Sequence, residues 1–376
     1  MYHPEQRLFG CWLLAFTLVL LLMLPFPVAA EVSAVKTVDG LKQPWGMAFL
    51  PDGDILISER SGTLRRIHNG KLLDAPVSGL PAIEEHGQGG LLGLALHPQF
   101  AKNHWLYVAY AGKGKGGYST HLARGQYQDG ALTQWQVLFE ATPKSDPGQH
   151  FGGRVVFDRS GYVYLSLGDR GERDSAQDLS SHAGSVIRLH DDGRIPADNP
   201  FVNTPGAKPE IYSYGHRNMQ CMALHPVSGQ VWTCEHGPQG GDEVNIERAG
   251  ANYGWPVITY GEEYGGGAVG KGATQQEGME QPVLFWKPSI APSGMAFYTG
   301  DKYPAWRGNL FVGALKSELV SRVILDGNRY VNEERLLENT IGRIRDIQQA
   351  PDGYLYVLTD EDKGGLYRLE LVEQGT

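Results

Sequence analysis

From about the thirtieth residue to the C-terminus, short apolar stretches alternate with turn-forming residues, and one pattern recurs: an apolar strand, a Pro/Asp/Gly turn, then a second apolar strand. It reads Gly46-Met-Ala-Phe-Leu-Pro-Asp-Gly53 followed by Ile55-Leu-Ile-Ser58. The pattern returns at 93–98 with 105–108, at 154–158 with 161–165, and at 222–226 with 231–232. Two last copies lie at 294–298 with 309–312 and at 346–353 with 354–358. Alternating apolar and β-branched residues between such turns mark half-buried antiparallel strands. Six copies at intervals of roughly 45 to 75 residues are close to or above the repeat lengths of propeller blades. The fold expected is all-β: a six-bladed β-propeller of four-stranded antiparallel blades, one closed domain over 31–376. No long stretch with a 3.6-residue apolar period competes with it. A β-sandwich or a pair of barrels is the alternative, but neither explains the recurring strand–turn–strand unit. Larger spacings in the middle copies predict inserted loops over 170–201 and 236–288, where binding chemistry belongs on a rigid scaffold.

The first thirty residues have a different pattern. Arg7 precedes an apolar run from Cys11 to Leu24, then Pro25, Pro27 and Val28-Ala-Ala30. That order is a basic region, an apolar core and a small-residue cleavage site, so 1–30 is expected to be a signal peptide cut near Ala30–Glu31. A periplasmic or secreted protein follows, without stable membrane insertion after cleavage. An uncleaved single-span anchor is the alternative, and the apolar core is short for it.

Composition narrows the function. Thirty-three basic against 42 acidic residues give a net charge of −9, which argues against nucleic acid as a partner. Fifty glycines suit many tight turns. Past the leader, Cys221 and Cys234 flank a hairpin; if Leu224 faces Val231, the same register sets the cysteines opposite each other. Oxidation outside the cytoplasm permits a disulfide, and two buried thiols are the other outcome. Zinc is not expected at Cys221, Cys234 and His236, which are too few ligands and contain no C-x-x-C pair. Gly112-Lys-Gly-Lys-Gly-Gly117 formally fits a dinucleotide fingerprint, yet a strand follows it where a helix is required.

Candidate chemistry gathers at strand ends. Hairpin pairing brings His150, in Gln149-His-Phe-Gly-Gly-Arg154, near Asp169, in Leu167-Gly-Asp-Arg-Gly171. A histidine held by a carboxylate has a fixed tautomer and suits proton abstraction; a rim histidine bonding a turn is the bland alternative. Tyr214-Gly-His-Arg-Asn218 sets the Arg217 cation beside the Asn218 amide, for an oxyanion or for surface decoration. Glu235-His-Gly-Pro-Gln-Gly-Gly-Asp-Glu243 combines carboxylates with carbonyl-rich backbone, as a hard-cation site requires, or forms a turn with solvated acids. Arg343 and Arg345 project to one face of a strand, and with Lys316 they suit a ligand bearing several carboxylates. Exposed basic residues on a strand remain the alternative.

These motifs in this order, with Pro44-Trp-Gly-Met-Ala-Phe49, His86-Gly-Gln-Gly-Gly-Leu-Leu92, Ile195-Pro-Ala-Asp-Asn-Pro-Phe201, Asn252-Tyr-Gly-Trp-Pro256 and Gly342-Arg-Ile-Arg345, resemble the soluble quinoprotein glucose/sorbosone dehydrogenases, most closely their periplasmic aldose sugar dehydrogenase branch. The resemblance implies a dehydrogenase using pyrroloquinoline quinone (PQQ) and calcium to oxidise aldoses at C1 to lactones, by a histidine base and hydride transfer to the quinone. It implies His150 as general base, Asp169 as its orienting carboxylate, and Arg217 and Asn218 near the reactive quinone carbonyl. Gln88, Lys316, Arg343, Arg345 and Tyr264 resemble further cofactor contacts. The main-chain carbonyls of Gly237 and Pro238 resemble ligands of the cofactor's calcium, and Glu243 and Tyr253 a second, structural calcium site. Gln149 stands where the glucose-specialised branch carries an acid, which implies a broad aldose range. The partners expected are an aldose substrate and an unidentified electron acceptor, with the chain a monomer or weak dimer. A calcium-dependent sugar-lactone hydrolase and a non-catalytic binding propeller are the rival readings.

Overall fold

The computed structural model describes residues 31–372; the expected signal peptide, Cys11 included, lies outside the described residues. Six four-stranded antiparallel sheets are arranged as the blades of a propeller. The first contains Pro44–Phe49, Ile55–Glu59, Thr63–His68 and Lys71–Leu72; the second Leu91–Leu96, Trp105–Gly114, Gly117–Gln128 and Ala131–Glu140. The third contains Val155–Phe157, Val163–Ser166, Ser185–Leu189 and Ile211–Tyr214; the fourth Met219–Leu224, Val231–Glu235, Asp242–Ile246 and Leu284–Trp286. Pro292–Phe297, Leu310–Ala314, Leu319–Asp326 and Arg329–Leu336 make the fifth. The sixth takes Ile344–Gln349, Leu355–Thr359 and Gly364–Leu371 from the C-terminal end of the chain and its edge strand, Val32–Leu41, from the N-terminal end. Helix is confined to Phe100–Asn103 and two short 3-10 turns among the described residues, and none is long and apolar enough to cross a membrane.

The burial pattern follows from this arrangement. An inner strand such as Pro44–Phe49 is covered on both faces and is almost wholly buried, whereas the outer strand Arg329–Leu336 is polar and largely exposed. Apolar side chains fill the wedges between blades: Leu56, Leu64, Leu94 and Leu106 between the first and second, Trp232, Leu310 and Val312 between the fourth and fifth, Phe311, Ile344 and Val357 between the fifth and sixth. Each such side chain contributes about 1.5–3 kcal/mol through burial, so the inter-blade wedges carry the fold.

Two sequence expectations need correcting. Residues 170–201 and 236–288 are not continuous loops, because Ser185–Leu189 lies within the first and Asp242–Ile246 and Leu284–Trp286 within the second. These strands have three to five residues, too few for their period to stand out against polar neighbours. The register is the one expected for Cys221 and Cys234: Leu224 pairs with Val231, Cys221 with Cys234, and the two are joined by a disulfide with Cα atoms 4.9 Å apart. The segment from Gly112 onward is a hairpin: Gly112 and Gly114 lie in the strand Trp105–Gly114, Lys115 and Gly116 make the turn, and the strand Gly117–Gln128 follows, with no helix behind it.

The six inner strands begin at one mouth of the central channel and end at the other. Between the mouths lies Arg154, whose Nη1 is 2.8 Å from Asp346 Oδ1. Its Nε donates to the Gln220 carbonyl and its Nη2 to those of Ser293 and Arg345, with the guanidinium 4.2 Å from the Trp45 ring centre. This plug ties the third to the sixth blade together and divides the channel. A cavity of about 300 Å³ lies at the starting ends of the inner strands and one of about 550 Å³ at their finishing ends.

Candidate active site

In each blade the residues just before or opening the inner strand share a rim with those just past the second strand. The cavity of about 300 Å³ is built on that rule. Trp45, Phe151, Gly152, Asn218, Gln220, Ala291, Arg343 and Arg345 come from the entering ends; Arg60, His236, Leu315 and Asp360 come from the ends of second strands. Gln88 reaches in from the loop before Leu91–Leu96. The larger cavity at the opposite mouth contains the charged pair Arg154–Asp346, and each satisfies the other.

His150 and Asp169 flank the first two strands of the third blade. His150 Nδ1 lies 2.6 Å from Asp169 Oδ1. The same oxygen accepts the Gly171 N–H at 2.8 Å, and Oδ2 accepts the Trp255 indole N–H at 2.8 Å. Burial opposes ionisation of Asp169, but the donors from His150, Gly171 and Trp255 outweigh it and hold the carboxyl below its ordinary range. Asp169 is therefore an acceptor for the Nδ1–H of His150, and Nε2 has no hydrogen-bond partner among the described residues. The backbone is shaped for this contact. His150 sits at φ +55°, its N–H donates to Gln88 Oε1 at 2.9 Å, and a Cβ on Gly168 would come within 2.2 Å of the His150 carbonyl oxygen. Only glycine fits where the two segments touch.

His150 and Arg217 are not in the cavity wall themselves; their neighbours Phe151 and Asn218 are. Arg217 is buried, its N–H bonded to Glu235 Oε2 at 2.6 Å and its guanidinium Nη1 to the carbonyls of Gly237 at 2.8 Å and His236 at 3.2 Å. Asn218 Oδ1 accepts from Gly152 N–H and Gln220 Nε2. Across the cavity, Arg345 Nη2 and Arg343 Nη2 converge on Asp360 Oδ2 at 2.7 and 3.4 Å. Burial resists the charge on Asp360, yet Arg345, Arg343 and Arg60 outweigh it and hold its pKa low. Three arginines facing one carboxylate leave a net positive lining, and the buried Arg345 Nε has no partner at all.

A second cavity of about 680 Å³ adjoins the first, sharing His236 and Ala291 with it. Gly237, Pro238, Lys316 and Tyr264 line it. Lys316 is exposed and makes no ion pair among the described residues, and Tyr264 is 72% exposed. His236 is half-buried with Nε2 2.7 Å from the Pro292 carbonyl, and desolvation pushes its pKa down to about 3, so it is a neutral donor.

Behind these cavities lies a buried charge cluster. His216 bonds Glu235 at 2.7 Å, lies 3.5 Å from Glu247 and stacks on Tyr253 at 4.4 Å between ring centres. Glu243 pairs across the sheet with Glu235 and accepts from Asn245 at 3.2 Å. Burial first, and then the Glu235 charge, push Glu243 up to about 8. Asn245 Oδ1 is buried without a donor. Tyr253 is buried, its hydroxyl donating to the Ile246 carbonyl at 2.5 Å. No group of three or more His, Cys, Asp or Glu side chains converges as a metal site among the described residues.

Sequence reasoning missed Arg60, Gln220 and Asp360 in the wall and Trp255 behind Asp169. The rim rule finds the first three, since each opens an inner strand or follows a second one. Trp255 had no local signal, because 86 residues separate it from its acceptor.

The family model described as "Glucose / Sorbosone dehydrogenase" matches residues 41–368. Aldose sugar dehydrogenase YliI of Escherichia coli K12 is 45% identical over 345 residues, covering 90% of this chain and 93% of that protein. The crystal structure of the soluble aldose sugar dehydrogenase from Escherichia coli in the apo form superposes with a TM-score of 0.88 at 44% identity, over 91% of this chain and 100% of that one. The PQQ-bound aldose sugar dehydrogenase of Streptomyces coelicolor gives a TM-score of 0.75 at 29% identity, over 91% and 99%.

Proposed function

The chain belongs to the glucose/sorbosone dehydrogenase family, and from that premise we propose that it oxidises aldose sugars at C1 to lactones with PQQ and calcium. One observation carries the reading: a cavity lined by Arg60, Arg343 and Arg345, with an unsatisfied buried Arg345 Nε, beside a histidine whose basic nitrogen is free.

The residues present fit the cofactor. A ligand bearing several carboxylates matches the arginines and the unpaired Lys316. Gln88, Asn218 and Gln220 supply amide donors and acceptors, and Tyr264 flanks the adjoining cavity. The fit for calcium is partial at the mouth. Gly237 and Pro238 would offer two carbonyls to such a cation, which needs six to eight oxygens. The Gly237 carbonyl now accepts from Arg217, so it already faces a positive charge. At the second cluster Glu243 and the unpaired Asn245 Oδ1 are the oxygens that would hold a cation, whereas the Tyr253 hydroxyl is engaged with Ile246 and Arg248.

When bound, the quinone supplies the two-electron sink for the hydride leaving C1, and calcium a Lewis acid against its oxygens. The chain's own part is protonic and electrostatic. His150 Nε2 takes the proton of the anomeric hydroxyl, and Asp169 keeps the ring in that tautomer and stabilises the imidazolium that forms. Arg217 holds a fixed positive charge next to this site. Trp45 and Phe151 contribute aromatic surface to the cavity wall.

Export to the periplasm or outside the cell belongs to the same reading, supported by the 1–30 pattern and the buried disulfide. The test is reconstitution: PQQ and calcium are added to the apoprotein and dye reduction is followed over a panel of aldoses. Quinone-dependent reduction is expected with several sugars. Its absence with all of them, alongside metal-dependent lactone hydrolysis or bare sugar binding, would overturn the proposal.

A further inference from the structure

We propose that Trp255 is a positioning residue for proton abstraction, acting through Asp169 on His150. The inference deepens the reading above and rests on it for the identity of the reaction.

The Asp169 carboxylate has its acceptor sites divided with little left over. Oδ1 takes His150 Nδ1–H and Gly171 N–H, and Oδ2 takes only the Trp255 indole N–H, at 2.8 Å in a buried setting. Asp169 is 1% exposed and Trp255 6%, so no solvent replaces that donor if it is lost. An unpaired buried carboxylate oxygen is costly and seeks a new partner by rotating, which would carry Oδ1 away from the imidazole. The indole thus fixes the carboxylate's plane, and the plane fixes the ring.

Trp255 is itself held firmly. Its backbone N–H donates to the Gly215 carbonyl at 2.8 Å, and its own carbonyl accepts Gln177 Nε2 at 2.7 Å. The side chain packs with Ala176 and Val269. The Arg217 and Arg173 guanidiniums lie 5.4 and 5.6 Å from the ring centre, and Arg173 is bonded in turn to Glu263 at 2.5 Å. One indole therefore joins three segments: the 3-10 turn Arg173–Gln177, the stretch carrying Arg217, and the segment before the fourth blade's last strand. A residue present only to fill space would need neither the N–H contact to a carboxylate nor this network around it.

The indole N–H also withdraws electron density from the carboxylate. Without it Asp169 becomes a stronger acceptor toward His150 while it remains in place, and the proton on Nδ1 is held differently.

The test uses the full mature chain. Trp255→Phe keeps an aromatic ring and removes the donor. Replacement of the indole by benzothiophene, through β-(3-benzothienyl)alanine, keeps the shape and changes N–H to sulfur, so it separates the donor's role from packing even if the phenylalanine variant folds poorly. In the apoprotein the His150 Nδ1–H proton resonance, hydrogen-bonded to Asp169, is expected to move or broaden in both variants. In the PQQ-loaded protein kcat is expected to fall about tenfold or more, KM for sugar and cofactor affinity to stay within about twofold, and the acidic limb of the pH–rate profile to shift. An unchanged resonance and pH profile in the isostere, with the wild type active on sugars, would refute the positioning role and leave the proposed reaction standing. A moved resonance in a protein that oxidises no sugar would support the positioning of His150 and overturn the reaction.

Discussion

His150 Nδ1 and Asp169 Oδ1 lie 2.6 Å apart across the opening of the third blade, with the aspartate almost fully enclosed and the imidazole partly open. The pair brings together a loop before one strand and a loop after the next, so neither residue depends on a flexible segment for its place. His150→Ala is expected to lower kcat about 10²–10⁴-fold while PQQ still titrates into the apoprotein. Asp169→Asn should lose most of the same factor by releasing the tautomer. Near-normal turnover in either variant would remove the base from this position.

Lys316 offers a clean test of the charged lining. It is exposed and unpaired, so Lys316→Met should leave the melting temperature unchanged to within about 0.5 kcal/mol of stability. Cofactor affinity, measured by fluorescence titration of the apoprotein, should drop about tenfold for one lost charge-assisted contact. Arg345→Ala is expected to cost more on both counts, because it also strips Asp360 of its nearest cation at 2.7 Å. Equal cofactor affinity in both variants and the wild type would move the anion site elsewhere.

Calcium should be visible in stability before it is visible in activity. A cation that satisfies Glu243 and Asn245 Oδ1 binds the folded chain and not the unfolded one, which raises the melting temperature with its concentration. Millimolar calcium is expected to do so for the wild-type apoprotein and not for Glu243→Gln. If the variant responds to calcium as fully as the wild type, the buried cluster is not the site.

The acid side of the stability profile should carry the mark of His121. Its Nε2 lies 2.5 Å from Lys144 Nζ and its Nδ1 3.3 Å from the Tyr110 hydroxyl. Burial first, and the Lys144 charge second, push its pKa down to about 4 from an ordinary 6.5. The unfolded chain then binds a proton that the folded one refuses, so stability is intact above about pH 6.5 and is lost progressively as pH falls toward 4. Urea unfolding between pH 4 and 7 should show a shallower decline for His121→Gln than for the wild type. Parallel slopes would mean that this histidine is not depressed.

The disulfide makes a separate prediction. Linking Cys221 to Cys234 closes a loop with a sequence separation of 13, for which chain entropy gives about 3 kcal/mol. Reductant, or Cys221→Ser with Cys234→Ser, is expected to lower the unfolding free energy by roughly that amount. An unchanged urea midpoint under reductant would show that the cysteines are not joined in solution.

What the sequence made legible was whatever repeats or sits beside a repeat. The strand–turn–strand unit recovered all six inner strands, and the hairpin argument brought His150 to Asp169 because both lie within a few residues of paired strands. Arg343 and Arg345 do share the cavity wall, but Arg343 lies just before the strand and the register is irregular at Arg345, so strand alternation is not what unites them. Other features depend on separations that no local pattern encodes. Arg154 meets Asp346 across 192 positions, and the indole of Trp255 reaches Asp169 across 86. The third strand of the third blade, five residues with a buried arginine in it, is too brief for its period to distinguish it from a loop.

The edge strand Val32–Leu41 completes the sixth blade, so its hydroxyl at Thr37 bonds the Leu366 carbonyl across 329 positions. Five blades contain only their own consecutive strands and can each assemble as soon as they are made. The ring, however, has no way to shut until the last strand meets the first. Assembly therefore ends on a long-range event, and loop-closure entropy makes that joining the slow one. Arg343 and Arg345 stand at the innermost strand of the sixth blade, on the side of the sheet opposite the closing strand. The arginine-lined mouth is thus held in a ring whose last blade is stitched from both ends of the described chain.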